Sequence, residues 1–312
     1  MAPRPVRARS NSDVATEDVA GEERGAHGRS RRELLPFALL VPSIVFLILL
    51  IVIPMIQALL LAVQGDSGEL TGEHFQRMFG DTSFRDALRN TLLLLVLIVP
   101  LQIGIALAMA LLVHSRFRGH AWFLYIYAIP LAVSDLAAGI LWLSVFTERG
   151  YLNTVLQGLG LIKEPIIYLS YESFGTILGA IVIAESWRAT ALVLVILVAG
   201  LQLIPRDYFE AADLFGASRL RRTIHVVLPL LRPSLQSALI IRTIFAFGTF
   251  AAVFALAGRN MPVLAGEAYG WYANNRNAHV AAAYALVLLG LAIVMTVVYL
   301  RFLGIRESER TR

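Results

Sequence analysis

Between Pro205 and Pro233 the chain reads PRDYFEAADLFGASRLRRTIHVVLPLLRP, a polar stretch that separates two long apolar runs. It carries five arginines and a Gly-Ala pair near its centre. Connections between neighbouring elements are usually short, with a median of about 4–6 residues. A connector of this length with helical periodicity therefore predicts a surface that contacts something outside the apolar runs.

The composition of the whole chain indicates an all-α polytopic membrane protein. Of its 312 residues, 57% are hydrophobic and 16% are charged, whereas soluble domains are about 45–50% apolar and about 25% charged. Because the chain has no cysteine, disulfides and cysteine-based metal or redox sites are excluded. The net charge of +5 fits basic cytoplasmic loops better than nucleic-acid binding, since the arginines flank the apolar runs.

Six apolar runs are each long enough to cross a bilayer, which takes about twenty residues. They are residues 34–63, 91–113, 121–146, 174–204, 234–257 and 280–303. The first run is too long for the apolar region of a cleaved signal peptide. The polar segment 1–33 has no apolar periodicity, so we expect a disordered tail, and residues 304–312 form a second tail.

Basic residues are unevenly divided between the two sides that six spans define. The side of the termini holds eighteen of them, with seven in 1–36, two in 114–120, five in 205–233 and four in 301–312. The opposite loops hold seven. Cytoplasmic loops carry the excess of arginine and lysine. The sequence therefore predicts a multi-pass protein of the cell membrane with both termini and the 205–233 loop in the cytoplasm.

The 205–233 loop has the pattern of two short helices joined by a turn. Pro205 suits the first turn of a helix, Gly216 can take the positive φ that ends it, and Ser218 can cap the next one. We expect Pro229 to end the second helix and Pro233 to begin the fifth span. Such a pair either lies on anionic lipid as an interfacial element or protrudes to bind a partner.

The spacing within this loop resembles the EAA loop of the transmembrane subunits of ABC importers. The matching residues are EAA at 210–212, GA at 216–217 and the LPxxxP pattern at 228–233. The preceding AGLQLIP at 199–205 is similar to the carbohydrate-importer subgroup. The resemblance extends from residue 35 over nearly the whole chain in the number and order of spans. It implies the type I ABC importer permease fold with six transmembrane helices.

The resemblance also implies that the first short helix is a coupling helix that docks on an ATPase subunit. The candidate coupling residues are Arg206, Glu210, Ala211, Ala212, Phe215, Gly216, Ala217 and Pro229. One position departs from the family pattern, which commonly has Asp before the glycine where this chain has Phe215. The contacts made by Phe215 with a partner therefore stay open.

The partners implied by the resemblance are a second permease subunit in a heterodimer, two ATPase subunits and an extracytoplasmic solute-binding protein. ATP and Mg²⁺ would be bound by the ATPase, and no cofactor by this chain. The implied small-molecule substrate is a sugar, polyol or sugar phosphate. Two alternatives remain, an ABC importer for an amino acid, peptide or phosphate, and a secondary transporter or membrane enzyme that works alone in the lipid bilayer.

Ionisable residues within apolar spans are candidates for function, because they are costly unless they pair or face water. They are Asp135, Glu185, Arg188 and Arg242. Glu185 and Arg188 can pair on one helix face, and Asp135 can pair with either arginine. These residues either hold helices together or line a hydrated substrate path.

Two tryptophans, Trp142 and Trp187, lie in the same spans. They either stack on sugar rings in the substrate path or are ordinary aromatic residues of a membrane interface. No catalytic residues are predicted, since the chain has no phosphate-binding Walker A sequence. Its six histidines lack metal-ligand spacing, so no metal site is predicted.

Overall fold

The computed structural model describes residues 39–303 apart from 66, 116 and 171. The predictions for the tails 1–33 and 304–312 lie outside the described residues. The chain divides into two units, one up to Leu60 and one from Leu61 onward. The first long helix, α1 (Leu39–Val63), contains a π-helical stretch, Ile48–Val52.

The described part of the second unit is built of helices, with one isolated antiparallel bridge between Gln64 and Leu70. In chain order the helices are α2 (Glu73–Phe79), α3 (Thr82–His114), α4 (His120–Ala132), α5 (Asp135–Phe146), α6 (Tyr151–Gly158), α7 (Phe174–Gln202), α8 (Arg206–Leu214), α9 (Arg219–Phe247), α10 (Ala251–Ala257), α11 (Leu264–Ala273) and α12 (Ala278–Leu303).

Five of the described helices are long and apolar enough to cross a bilayer alone, namely α1, α3, α7, α9 and α12. A sixth crossing exists if α4 and the α5–α6 segment make one broken span. The second span starts at Thr82, nine residues before the predicted 91–113. Asp81 caps this longer helix, because its carboxylate accepts the Ser83 N–H at 2.9 Å.

The predicted third span, 121–146, is not one straight helix. It breaks between α4 and α5, whose directions differ by 102°. Pro130 in the last turn of α4 has no N–H to donate. Ser134 starts the next helix, since its hydroxyl accepts the Ala137 N–H at 3.3 Å. The break places Asp135 in the first turn of α5 instead of inside a continuous span.

The predicted boundary between the coupling loop and the fifth span is also corrected. Pro229 does not end a helix and Pro233 does not begin one, because α9 runs through both. A π-helical stretch, Thr223–Val227, ends two residues before Pro229, just as Ile48–Val52 ends two residues before Pro54 in α1. The wider turn leaves room for the proline ring, which would clash with a carbonyl in a regular helix.

The fifth span ends earlier than the predicted 234–257, because α9 stops at Phe247 and the short helix α10 follows after a break. At the centre of the fold α3, α7 and α9 share a cluster of buried apolar side chains that includes Ala106, Leu194, Leu197 and Leu231. Helices α7 and α9 approach closely at Gly200, where a Cβ atom would lie 2.1 Å from the Ser234 hydroxyl oxygen.

Candidate coupling surface and buried charge cluster

Helix α8 ends in a sharp turn that is closed by backbone hydrogen bonds. Gly216 adopts a φ of +68°, which only glycine takes without strain. The Gly216 N–H donates to the Asp213 carbonyl and the Ala217 N–H to the Ala212 carbonyl, each at 3.0 Å. This pair of bonds is the Schellman motif. Ser218 then caps α9 by accepting the Arg221 N–H at 3.3 Å, so the chain reverses over a few residues.

The tip of α8 exposes two large apolar side chains. Leu214 is 88% exposed and Phe215 is 91% exposed. Leu214 is the last residue of α8 and Phe215 follows it, and the outward residues of the same helix include Glu210 and Ala211. Isolated apolar residues on a surface are ordinary, but adjacent ones on a protruding tip form a small contact surface. We call residues 206–217 the coupling segment.

The predicted coupling residues are distributed over two places. Within the coupling segment, Arg206, Glu210, Ala211, Phe215 and Gly216 are exposed, Ala217 is partly buried, and Ala212 is buried inside this chain. Ala212 is therefore not offered to a partner in this conformation. Pro229 lies outside the coupling segment, in α9 beyond the π-helical stretch.

One residue that the sequence pattern did not single out attaches α8 to the rest of the fold. The ring of Phe209 lies 4.9 Å from the ring of His114 at the end of α3. The guanidinium of Arg222 lies 5.8 Å from the same ring and pairs with Asp213 at 2.7 Å. The available signal was the second of two adjacent aromatic residues in a polar helix, since Tyr208 is exposed and Phe209 is partly buried. Phe209 thus joins the coupling segment to α3 and α9.

The intramembrane charges form one connected cluster. Glu185 and Arg242, each 1% exposed, pair at 3.1 Å between α7 and α9. Gln102 of α3 is also buried. Its amide donates to the Glu185 backbone carbonyl at 2.8 Å, and its side-chain oxygen accepts a hydrogen bond from Arg242. The three longest central helices are therefore tied together by polar groups removed from lipid.

The second half of the cluster is more open. Arg188 is one turn beyond Glu185 on α7 and lies 3.5 Å from its carboxylate. Arg188 also pairs with Asp135 at the start of α5. Both Asp135 and Arg188 are partly exposed. With two carboxylates and two guanidiniums the cluster is balanced in charge, and it fixes the break in the third span against α7.

The two tryptophans flank this open half. Trp187 is exposed and meets Trp142 edge-on at 6.0 Å between ring centroids. Several buried polar atoms of the neighbourhood have no hydrogen-bond partner within the described chain: Trp142 Nε1, Arg188 Nε and Glu185 Oε1. Buried polar atoms are nearly always satisfied. This neighbourhood therefore holds hydrogen-bonding atoms that the described side chains do not use.

No group of three or more His, Cys, Asp or Glu side chains is placed to hold a metal ion among the described residues. The described chain thus offers two candidate functional features: an exposed contact surface at one end of the bundle and a charged, partly open cluster within it.

Comparisons with known proteins agree on one family. Residues 101–303 match the model of the binding-protein-dependent transport system inner membrane component. The chain is 31% identical to the sulfoquinovosyl glycerol transport system permease protein SmoG of Agrobacterium fabrum, covering 88% of this chain and 92% of that protein. It is 28% identical to the sn-glycerol-3-phosphate transport system permease protein UgpA of the same organism, over 86% and 94% of the two chains.

A solved structure supports the same fold. A chain of a bacterial ABC transporter involved in the import of the acidic polysaccharide alginate superposes with a TM-score of 0.75 and 20% sequence identity. The match covers 89% of this chain and 98% of that one.

Proposed function

Because the chain belongs to the family of binding-protein-dependent transport system inner membrane components, we propose that it forms half of the translocation pore of an ATP-driven importer. The proposed substrate is a sugar or a related polyol or sugar phosphate. Relatives named for transport of sulfoquinovosyl glycerol and sn-glycerol-3-phosphate support this class. The other half of the pore would be a second, similar permease subunit.

The coupling segment is the part that we assign to the ATPase subunit. The observation that carries this assignment is its exposed apolar tip, Leu214 and Phe215, on a turn closed by the Schellman bonds. A partner that buries these side chains would gain about 1.5–3 kcal/mol for each. The excess of arginine on this side of the membrane supports a cytoplasmic position.

Movement of the coupling segment would reach the pore through two contacts. Phe209 transmits it to α3 through His114, and Asp213 transmits it to α9 through Arg222. Both helices cross the bilayer and line the same central cluster. ATP-driven closure of the partner subunits would therefore shift α3 and α9 together, as alternating access requires.

We assign two different roles within the charge cluster. Glu185 and Arg242 are sealed from solvent and act as a tie between α7 and α9. Asp135, Arg188, Trp142 and Trp187 belong to the open half, and we place them along the substrate path. Their unused hydrogen-bonding atoms suit a hydroxyl-rich solute, and aromatic faces suit the apolar face of a sugar ring.

The test is purification of the intact complex with its ATPase and solute-binding protein. ATPase stimulation and uptake would be measured with sulfoquinovosyl glycerol, sn-glycerol-3-phosphate, xylose, arabinose and maltose. Stimulation by a member of this panel supports the proposal. Stimulation only by an amino acid, a peptide or phosphate would mean that the substrate is not a sugar. Uptake by the chain alone without ATP would mean that it is not part of an ATP-driven importer.

A matched pair of variants tests the coupling segment. Leu214→Asp places a charge on the apolar tip, so we expect loss of coupled ATPase activity and of ATPase copurification. Leu203→Asp is the control, because Leu203 is 82% exposed, close to the exposure of Leu214, but precedes α8. Equal activity of both variants would remove the tip from the coupling surface.

A further inference from the structure

A cavity lies at the end of the bundle remote from the coupling segment. It has a volume of about 940 Å³ and opens between the start of α3, α10 and α11. Helix α3 runs from this cavity to His114 beside the coupling segment, and its 33 residues span about 50 Å. On the proposed topology the cavity therefore faces the outside of the cell. Its size is in the usual range for small-molecule sites, about 300–1,000 Å³.

The cavity is built on a fixed frame. The Asn90 amide donates to the Pro262 carbonyl at 2.9 Å, and the Leu264 N–H donates to the Thr91 hydroxyl at 3.0 Å. The Asp81 carboxylate accepts the Trp271 N–H at 2.9 Å. These bonds join the α10–α11 connection and α11 to the outer end of α3. The walls are therefore held by α3 before any ligand arrives.

One wall of the cavity is aromatic. Phe250 lies 5.5 Å from Phe254 and 5.1 Å from Tyr269, measured between ring centroids. Tyr269 and Phe254 are each about half exposed, at 52% and 50%. Their rings therefore keep free surface toward the cavity.

The cavity is also lined by polar residues. They are Arg77, Arg259, Glu267, Asn274 and Asn275. The two amides and two guanidiniums offer many hydrogen-bond donors, and the amide oxygens and the Glu267 carboxyl accept. A ligand with one apolar face and several hydroxyl groups matches both the aromatic and the polar lining residues.

We propose that this cavity is a saccharide-binding site of the permease itself, which receives the sugar at the outer face before it enters the pore. The sugar ring packs its C–H face on Tyr269 and Phe254 while its hydroxyls bond to Asn274, Asn275 and Arg259. This proposal adds a binding site to the proposed sugar import and rests on that function. None of the residues of the charge cluster of α5, α7 and α9 lines the cavity.

The experiment uses the assembled importer in lipid nanodiscs without its solute-binding protein. Saturation-transfer difference NMR is recorded with each sugar of the panel named above. We expect transfer from the protein to the ring protons of the transported sugar. Tyr269→Ala should weaken binding about two- to tenfold, the value of one aromatic contact. Tyr272→Ala is the control, since Tyr272 is 65% exposed on the same helix but does not line the cavity.

The outcomes separate this site from the proposed function. Transport of a panel sugar without NMR transfer, or with equal transfer in Tyr269→Ala and the wild type, would overturn the site and leave sugar import standing. Loss of solute-binding-protein copurification in Tyr269→Ala, with NMR transfer unchanged, would make the cavity a docking surface for that protein instead. If the importer transports none of the sugars and the NMR shows no contact, both proposals fail.

Discussion

Replacing Glu185 by glutamine should destabilise the protein through the two guanidiniums that the carboxylate serves. Glu185 is 1% exposed and lies 3.1 Å from Arg242 and 3.5 Å from Arg188. Without it, Arg188 keeps its pair with Asp135, whereas Arg242 keeps only the hydrogen bond to the Gln102 side-chain oxygen. Breaking a buried pair by removing one partner costs about 3–5 kcal/mol. At about 2–4 °C per kcal/mol for a chain of this size, the melting midpoint should fall by roughly 6–20 °C.

The assay is thermal unfolding of the assembled importer, followed by fluorescence-detected size exclusion. Arg242→Gln should show a similar loss, because it leaves Glu185 with one cation fewer. The double variant Glu185→Gln/Arg242→Gln restores the charge balance, so it should recover most of the stability, to within about 2 kcal/mol of wild type. Glu164→Gln on an exposed loop controls for the loss of a carboxylate and should not change the midpoint.

Two results would refute this reasoning. One is a Glu185→Gln midpoint that matches the exposed control. The other is a double variant whose loss equals the sum of the single losses, since independent sites are additive and a coupled pair is not. Either result would mean that Glu185 and Arg242 do not hold α7 and α9 together through their mutual charge.

Three further predictions concern packing, coupling and pH. Gly200→Leu should prevent assembly, because the leucine side chain would overlap Ser234. Gly179→Leu is the control and should assemble, because Gly179 has open space around it. Pull-down of the complex distinguishes the two variants. Phe209→Ala removes a ring contact worth about 0.5–1.5 kcal/mol, so transport should fall roughly two- to tenfold while basal ATPase activity persists. Unchanged transport would mean that Phe209 does not link the coupling segment to α3. Burial raises the pKa of the Glu267 carboxyl, so the stability it contributes is fully present below its unfolded-state pKa and is lost as pH rises through the folded-state value. Glu267→Gln should therefore raise the melting midpoint near pH 8 and leave it unchanged near pH 4, and a shift of the same size at both values would contradict this.

Much of the helical order could be predicted because the bilayer imposes a length and a polarity on each span. The apolar runs near 174–204 and 280–303 correspond closely to α7 and α12. The coupling segment was equally readable, since Gly216 and Ser218 carry local backbone signals that need no tertiary contact. The family resemblance stated from the 210–233 pattern was confirmed by the family match.

The errors share a physical cause. Hydropathy measures the composition of a run and not its direction, so the 102° bend between α4 and α5 was invisible in residues 121–146. Proline rules assume regular α-helix geometry, so the π-helical stretch that carries α9 past Pro229 could not be foreseen. The second span begins earlier than its hydropathy indicates. Asp81 caps the helix, so the polar residues that follow it are helical although their charges lower the local hydropathy.

The sequence by itself determined that this is a polytopic helical membrane protein with a helix–glycine–helix segment at residues 206–222, because spans and turns are encoded by local composition and backbone preference. Only the tertiary structure decided how the four intramembrane charges divide. Pairing depends on which helices become neighbours, and that follows from the packing of α3, α7 and α9. The same packing placed Phe209 between α3 and α9, so the residue that joins the coupling segment to the pore became recognisable only in the folded chain.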